Sequence, residues 1–171
     1  MIRWLAALLL YAGVAHAQPV PLVQSRAEPI LVEALAYDHR DRLLVSSVHR
    51  PGVYRLQKNG ALKRWSARGS TQGVFGIVAD PVRGDLWAAS SGTAHGGDPA
   101  AAPALIRFNL RNGRVREIIA APEGAKSFGD VALGPDGTVY VSDSGAGDVL
   151  RLRPGGTALE KMVGLGERGS P

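Results

Sequence analysis

Thr138-Val139-Tyr140-Val141-Ser142-Asp143, then Val149-Leu150-Arg151-Leu152, then Gly155-Gly156: this stretch decides the fold, because the chain writes it three times. Its counterparts are Arg42-Leu43-Leu44-Val45-Ser46-Ser47 with Val53-Tyr54-Arg55-Leu56 and Asn59-Gly60, and Asp85-Leu86-Trp87-Ala88-Ala89-Ser90 with Leu105-Ile106-Arg107-Phe108 and Asn112-Gly113. Each copy reads as two strands rich in β-branched, aromatic and aliphatic residues, closed by a glycine turn. A sheet unit repeated at this length is the signature of a β-propeller blade. No segment beyond the first residues carries an apolar repeat at helical spacing, so the chain is all-β.

Spacing sets the register. Leu44 and Trp87 lie 43 residues apart, and Trp87 and Tyr140 lie 53 apart. From second strand to third, Val45 to Arg55 and Val141 to Arg151 are both 10 residues, whereas Ala88 to Arg107 is 19. The surplus falls in residues 91–103, dominated by Gly, Ala and Pro, which predicts an exposed loop. Four-stranded units are expected at about 28–66, 72–120 and 126–164. In the third, Phe128 to Leu133 is the first strand and Gly134-Pro135-Asp136-Gly137 its turn. A weaker fourth strand follows at Ala158 to Val163, after a hairpin at Gly155-Gly156.

Leu44, Trp87 and Tyr140 hold equivalent places and should pack between blades, each contributing roughly 1.5–3 kcal/mol if fully buried. Arg55, Arg107 and Arg151 alternate with apolar neighbours, so a structural, snorkelling role is expected of them.

Residues 1–17 read as a secretory signal: Arg3 is the positive n-region, Trp4 to Val14 the apolar run, and Ala15-His16-Ala17 the cleavage site. The mature chain would begin at Gln18, with a disordered leader over 18–27 and the partial propeller over 28–171. A periplasmic or secreted location follows, with no membrane attachment after cleavage. The chain has no Cys, so its stability rests on packed sheets and not on disulfides. Its net charge of +5 comes from scattered residues, without the dense basic stripe that nucleic acid requires. Gly169-Ser170-Pro171 stands where the lead-in to a fourth unit would begin. A shortened gene product is expected from that, in preference to two copies completing one ring.

Two phrases carry a family resemblance: Asp80-Pro81 with Gly84-Asp85-Leu86-Trp87, and Gly134-Pro135-Asp136-Gly137-Thr138-Val139-Tyr140-Val141-Ser142-Asp143-Ser144. They resemble the six-bladed regucalcin/gluconolactonase family and its strictosidine-synthase-like and NHL-repeat relatives, over most of residues 28–164. The resemblance implies a divalent metal, usually calcium, on the propeller axis of the family's hydrolases. It is held by a Glu entering the first blade, Asn residues entering two later blades, and an Asp farther on. Glu33 matches the Glu; Phe75 and Gly129 stand where the two Asn would be; Asp130 matches an Asp that often follows the second; the last ligand would lie beyond Pro171. Asp143 with Ser144 resembles the family's Asp-Ser step after the second strand, which fits an Asx turn as well as catalysis.

His95 and Asp98 in the long insertion add a potential proton shuttle and a carboxylate to the binding candidates, alongside Phe75. Two functions are therefore expected to compete. One is an exported propeller that binds a small molecule or protein at its channel mouth. The other is a calcium-dependent hydrolase of lactones or esters, with Glu33 and Asp130 as local metal ligands and Asp130 or Asp143 as a catalytic carboxylate. The donors on the axis discriminate them, since a calcium site needs about four protein oxygen donors or more, with waters completing its shell.

Overall fold

The computed structural model describes residues 30–94 and 96–164. The expected signal segment and His95 lie outside the described residues. The rest forms twelve strands in three four-stranded antiparallel sheets.

The first blade comprises β1 (Val32–Tyr37), β2 (Leu43–Ser47), β3 (Gly52–Leu56) and β4 (Leu62–Arg64). The second comprises β5 (Gly73–Asp80), β6 (Asp85–Ser91), β7 (Ala104–Asn109) and β8 (Val115–Ala120). The third comprises β9 (Phe128–Leu133), β10 (Val139–Asp143), β11 (Asp148–Leu152) and β12 (Glu160–Gly164). Each blade is a meander in sequence order, so its pairings are between consecutive strands. The first strands lie innermost, with β5 packed between β1 and β9.

Two apolar cores fill the two blade junctions. Between the first and second blades lie Leu44, Val53, Val74, Leu86, Ile106 and Phe108. Between the second and third lie Trp87, Leu105, Phe128, Val139, Val141 and Leu150. This follows from the period of two along each strand, which sends alternate residues to opposite faces. Leu44 and Trp87 are buried as their repeat position requires. Tyr140, at the same position, is only half-buried, because no described residues form a blade beyond the third sheet's outer face.

Two of the repeated arginines, Arg107 and Arg151, take structural roles. Arg107 lies over the Trp87 ring at 5.4 Å and donates from Nε to Asp85 at 2.8 Å. Arg151 pairs with Glu160 at 3.1 Å. Asp85, fully buried, also receives Arg116, so two guanidinium groups neutralise one desolvated carboxylate.

Two local expectations need adjustment. The link between β11 and β12 is broad, not a tight hairpin, although Gly155 does take a positive φ of 74°. The insertion is not wholly irregular, because Thr93 and Gly96 form an isolated antiparallel bridge. Gly96 is pressed so closely on Val48 that a Cβ there would stand 1.7 Å from the Val48 carbonyl oxygen. The segment is thus fastened over the junction of the first two blades.

Candidate functional site

The pairing register places the candidate residues relative to one another. Leu35 pairs with Val45, Ile77 with Ala88, and Val131 with Val141, which are equivalent steps in the three blades. Counting back two residues, Glu33, Phe75 and Gly129 hold the same place on the three innermost strands. The ladder is interrupted there in every blade, between Val32 and Leu35, between Val74 and Ile77, and opposite the Val141–Asp143 step. Such bulges release backbone N–H groups and re-aim side chains, and they recur beside binding sites.

Serine hydroxyls on the second strands collect the released groups. Ala34 N donates to Ser46 Oγ at 2.9 Å, and Asp130 N donates to Ser142 Oγ at 2.8 Å. Ser46 Oγ in turn donates to the Phe75 carbonyl of the next blade. In the second blade Ala89 occupies this place, and Ser91 makes the crossing link instead. Ser91 Oγ accepts from Phe128 N at 2.7 Å and donates to Phe128 O at 3.3 Å.

Gly76 is required by proximity. A Cβ at this position would lie 2.6 Å from Val131 N and 2.7 Å from Asp130 Cα. The second and third inner strands therefore approach closely only because the side chain is absent.

The equivalent positions and their neighbours are polar with one aromatic group. Glu33 and Asp130 are exposed, Phe75 is half-buried, and Gly129 is half-buried beside Ser142 and Ser144. Asp130 Oδ1 accepts from Val131 N at 2.8 Å. A Cβ on Gly129 would sit 3.2 Å from Ser142 Oγ and 3.3 Å from Ser144 Oγ. Asp98 is exposed on the insertion, where its Oδ1 accepts from Ala100 N at 2.9 Å and its N–H donates to Gln72 Oε1 at 2.7 Å.

Asp143 is placed differently. It is 1% exposed, and its carboxylate accepts from the N–H groups of Lys126, Ser127, Gly145 and Ala146 at 2.8–3.1 Å. Four donors occupy its oxygens, and it ties the lead-in to β9 onto the β10–β11 turn. That is the arrangement of an Asx-turn anchor.

The donor set can be compared with what calcium requires. Of the three equivalent positions only Glu33 carries a side-chain oxygen, and Asp130 adds one further carboxylate. Among the described residues, no three His, Asp or Glu side chains gather closely enough to hold a metal ion. Two donor residues fall short of the about four protein donors that, with waters, complete a calcium shell, so these three blades by themselves do not fit a calcium cage.

The opposite end of the sheets is occupied by fixed ion pairs. Asp38 is held by Arg42 at 2.7 Å, and Asp80 by Arg83 at 3.0 Å. Burial alone would raise the Asp38 pKa. The Arg42 side chain and the N–H groups of Arg40 and Arg42 outweigh that and hold it below the usual carboxylate value.

Sequence reasoning identified the equivalent positions 33, 75 and 129 but passed over the hydroxyls that serve them. The available signal was the recurrence of serine along the second strands, at Ser46, Ser47, Ser90, Ser91 and Ser142.

No family model matches the chain, and no curated relative does. Solved structures do. Virginiamycin B lyase from Staphylococcus aureus superposes with a TM-score of 0.60 at 13% identity, over 82% of this chain and 43% of that one. A gluconolactonase from Xanthomonas campestris gives 0.59 at 18%, over 80% and 48%. The PQQ-bound aldose sugar dehydrogenase from Streptomyces coelicolor gives 0.52 at 20%, over 73% and 45%. The chain spans less than half the length of each of these structures. A lyase, a lactonase and a dehydrogenase share this likeness, so it carries the fold and not one chemistry. The described residues are three consecutive blades of a β-propeller, the architecture of gluconolactonase and its structural neighbours.

Proposed function

We propose that this chain belongs to an exported propeller that binds a small molecule or a protein loop at the channel mouth. The observation that carries this reading is the composition of the three equivalent inner positions: a carboxylate, a half-buried phenyl ring and a glycine, with Asp130 next in line. A few polar groups beside an apolar contact are the ordinary make-up of a binding surface. Carboxylates flanking an aromatic ring favour a ligand with a cationic and an apolar part. Export rests on Arg3, the apolar run from Trp4 and the Ala15-His16-Ala17 step.

Saturation-transfer NMR with phenethylamine as the probe tests the site. Transfer to the ring protons that disappears in Phe75→Ala and weakens in Glu33→Gln is expected. Equal transfer in all three proteins, or none in any, overturns the reading.

A second reading, a calcium-dependent lactone or ester hydrolase, draws on Glu33 and Asp130 as hard oxygen donors and on the likeness to a gluconolactonase. Phe75 and Gly129 weigh against it, because neither side chain offers an oxygen. The binding reading is preferred on that ground.

A further inference from the structure

An arginine recurs on the third strand of each blade, and in two blades it meets an acid. Arg107 lies opposite Glu117 in the ladder, at 3.6 Å between the charged groups, and Arg151 opposite Glu160, at 3.1 Å. Arg55 instead lies opposite Lys63. The neighbour on the second strand is reversed as well. Asp85, two residues before Trp87, receives Arg107 at 2.7 Å, whereas the same place before Leu44 holds Arg42. The second blade thus sets its arginine between two acids, and the first blade sets it between two bases. Like charges directly opposite one another in an antiparallel ladder are destabilising. Nothing offsets this at Arg55. Among the described residues Arg55, Lys58 and Lys63 form no ion pair, and Asp38 is taken by Arg42 at 2.7 Å.

An open groove of about 530 Å³ runs beside these bases, lined by Arg42, Arg55, Leu56, Gln57, Lys58 and Asn59. No acid lines it, whereas the cleft around Arg107 is lined by Asp85 and Glu117. Arg55 is half-buried, and Lys58 and Lys63 are exposed. Asn59 uses its Oδ1 to accept from Ala61 N at 3.1 Å, which leaves its amide N–H groups as further donors. Leu44 stands directly opposite Arg55, hence on the same face of the sheet, and is buried in the core between the first and second blades. The face that carries Arg55 therefore has its neighbouring blade in place. Because β1 and β3 run in the same direction, the β3–β4 turn lies at the end of the sheet away from Glu33.

We propose that this groove is a binding site for a phosphate group, held by Arg55, Lys58 and Lys63. A phosphate presents several acceptor oxygens to the arginine fork and to the two ammonium groups, and it turns a repulsive cross-strand pair into a bridged one. It also carries more than one negative charge near neutral pH, where a single carboxylate would answer one of the three bases. The basic residues are scattered along the sequence, and the β3–β4 hairpin is what gathers these three.

Titration calorimetry on the full chain at fixed ionic strength tests this, with inorganic phosphate and glycerol 1-phosphate as probes and chloride as the control. Saturable binding of phosphate is expected, with no saturable response to chloride. Arg55→Ala should weaken it about tenfold or more, the loss expected for a charge-assisted bond. Lys63→Glu reinstates the acid that the other two blades carry. It should raise the thermal midpoint in the absence of phosphate and weaken phosphate binding by a similar factor. Tighter binding of the ester assigns an organic phosphate, and any other order assigns the free ion. No saturable binding of either probe overturns the proposal, as does binding that Lys63→Glu leaves unchanged. If Arg55→Ala loses its β-sheet circular dichroism, Lys58→Ala on the exposed turn replaces it, and unchanged binding in that variant counts against the site. Phe75→Ala, at the other end of the sheets, should leave phosphate binding as it was, which separates this site from the mouth.

Discussion

Ser46 donates its hydroxyl to the carbonyl of Phe75, across the boundary between the first and second blades. The same oxygen accepts the N–H of Ala34, freed by the bulge in β1. One side chain therefore satisfies a part-buried donor within its blade and a carbonyl in the next.

Ser46→Ala removes both bonds and leaves the Ala34 N–H and the Phe75 carbonyl without that partner. Unsatisfied buried groups cost about 1–3 kcal/mol each, and both of these bonds are only part-buried, so a total of about 1 kcal/mol is expected. Urea unfolding should show a lower midpoint with an unchanged slope.

Gly76→Ala puts a methyl group 2.6 Å from Val131 N, against backbone that cannot swing away. Overpacking of this kind costs typically about 1–3 kcal/mol. The thermal midpoint should fall, and Gly129→Ala should fall less, because the atoms it meets at 3.2–3.3 Å are serine hydroxyls able to rotate.

Asp85→Ala leaves Arg107 and Arg116 facing a vacated, buried position. Breaking a buried pair by removing one partner costs about 3–5 kcal/mol, and the partly exposed arginines place this case at the low end. Equilibrium unfolding should show that loss, together with a change in Trp87 fluorescence as Arg107 leaves the ring.

The pH dependence follows from Asp38. Its folded pKa lies below the ordinary value, so the stability it contributes is fully present above about pH 3.9 and is lost as pH falls through the lower folded value. Asp38→Asn should be less stable than the parent at neutral pH. Acid titration of the thermal midpoint should show the two proteins converging below about pH 4.

Much of the fold was legible because the repeat writes strand, turn and strand in one order. Phe128–Leu133 emerges residue for residue from the sequence, since Gly134-Pro135-Asp136-Gly137 bounds it. The outer strands were harder. β4 has three residues and β12 is exposed throughout, so neither shows a buried alternation. At the site, the equivalence of Glu33, Phe75 and Gly129 could be counted from the second strands. The roles of Ser46, Gly76 and Asp143 could not, because each depends on how near another blade or loop comes. Distance between non-adjacent segments has no local signature in the chain. The burial of Asp85 beneath two arginines escaped for the same reason.

The most direct test is a calcium titration followed by thermal unfolding. A bound ion would add about 2.7 kcal/mol at a hundredfold excess over its Kd, a shift that could not be overlooked. With Glu33 and Asp130 the only carboxylates at or beside the equivalent positions among the described residues, the chain should show no shift. A saturable rise in the thermal midpoint, abolished by Glu33→Gln, would contradict a binding surface without a calcium cage and restore the hydrolase reading.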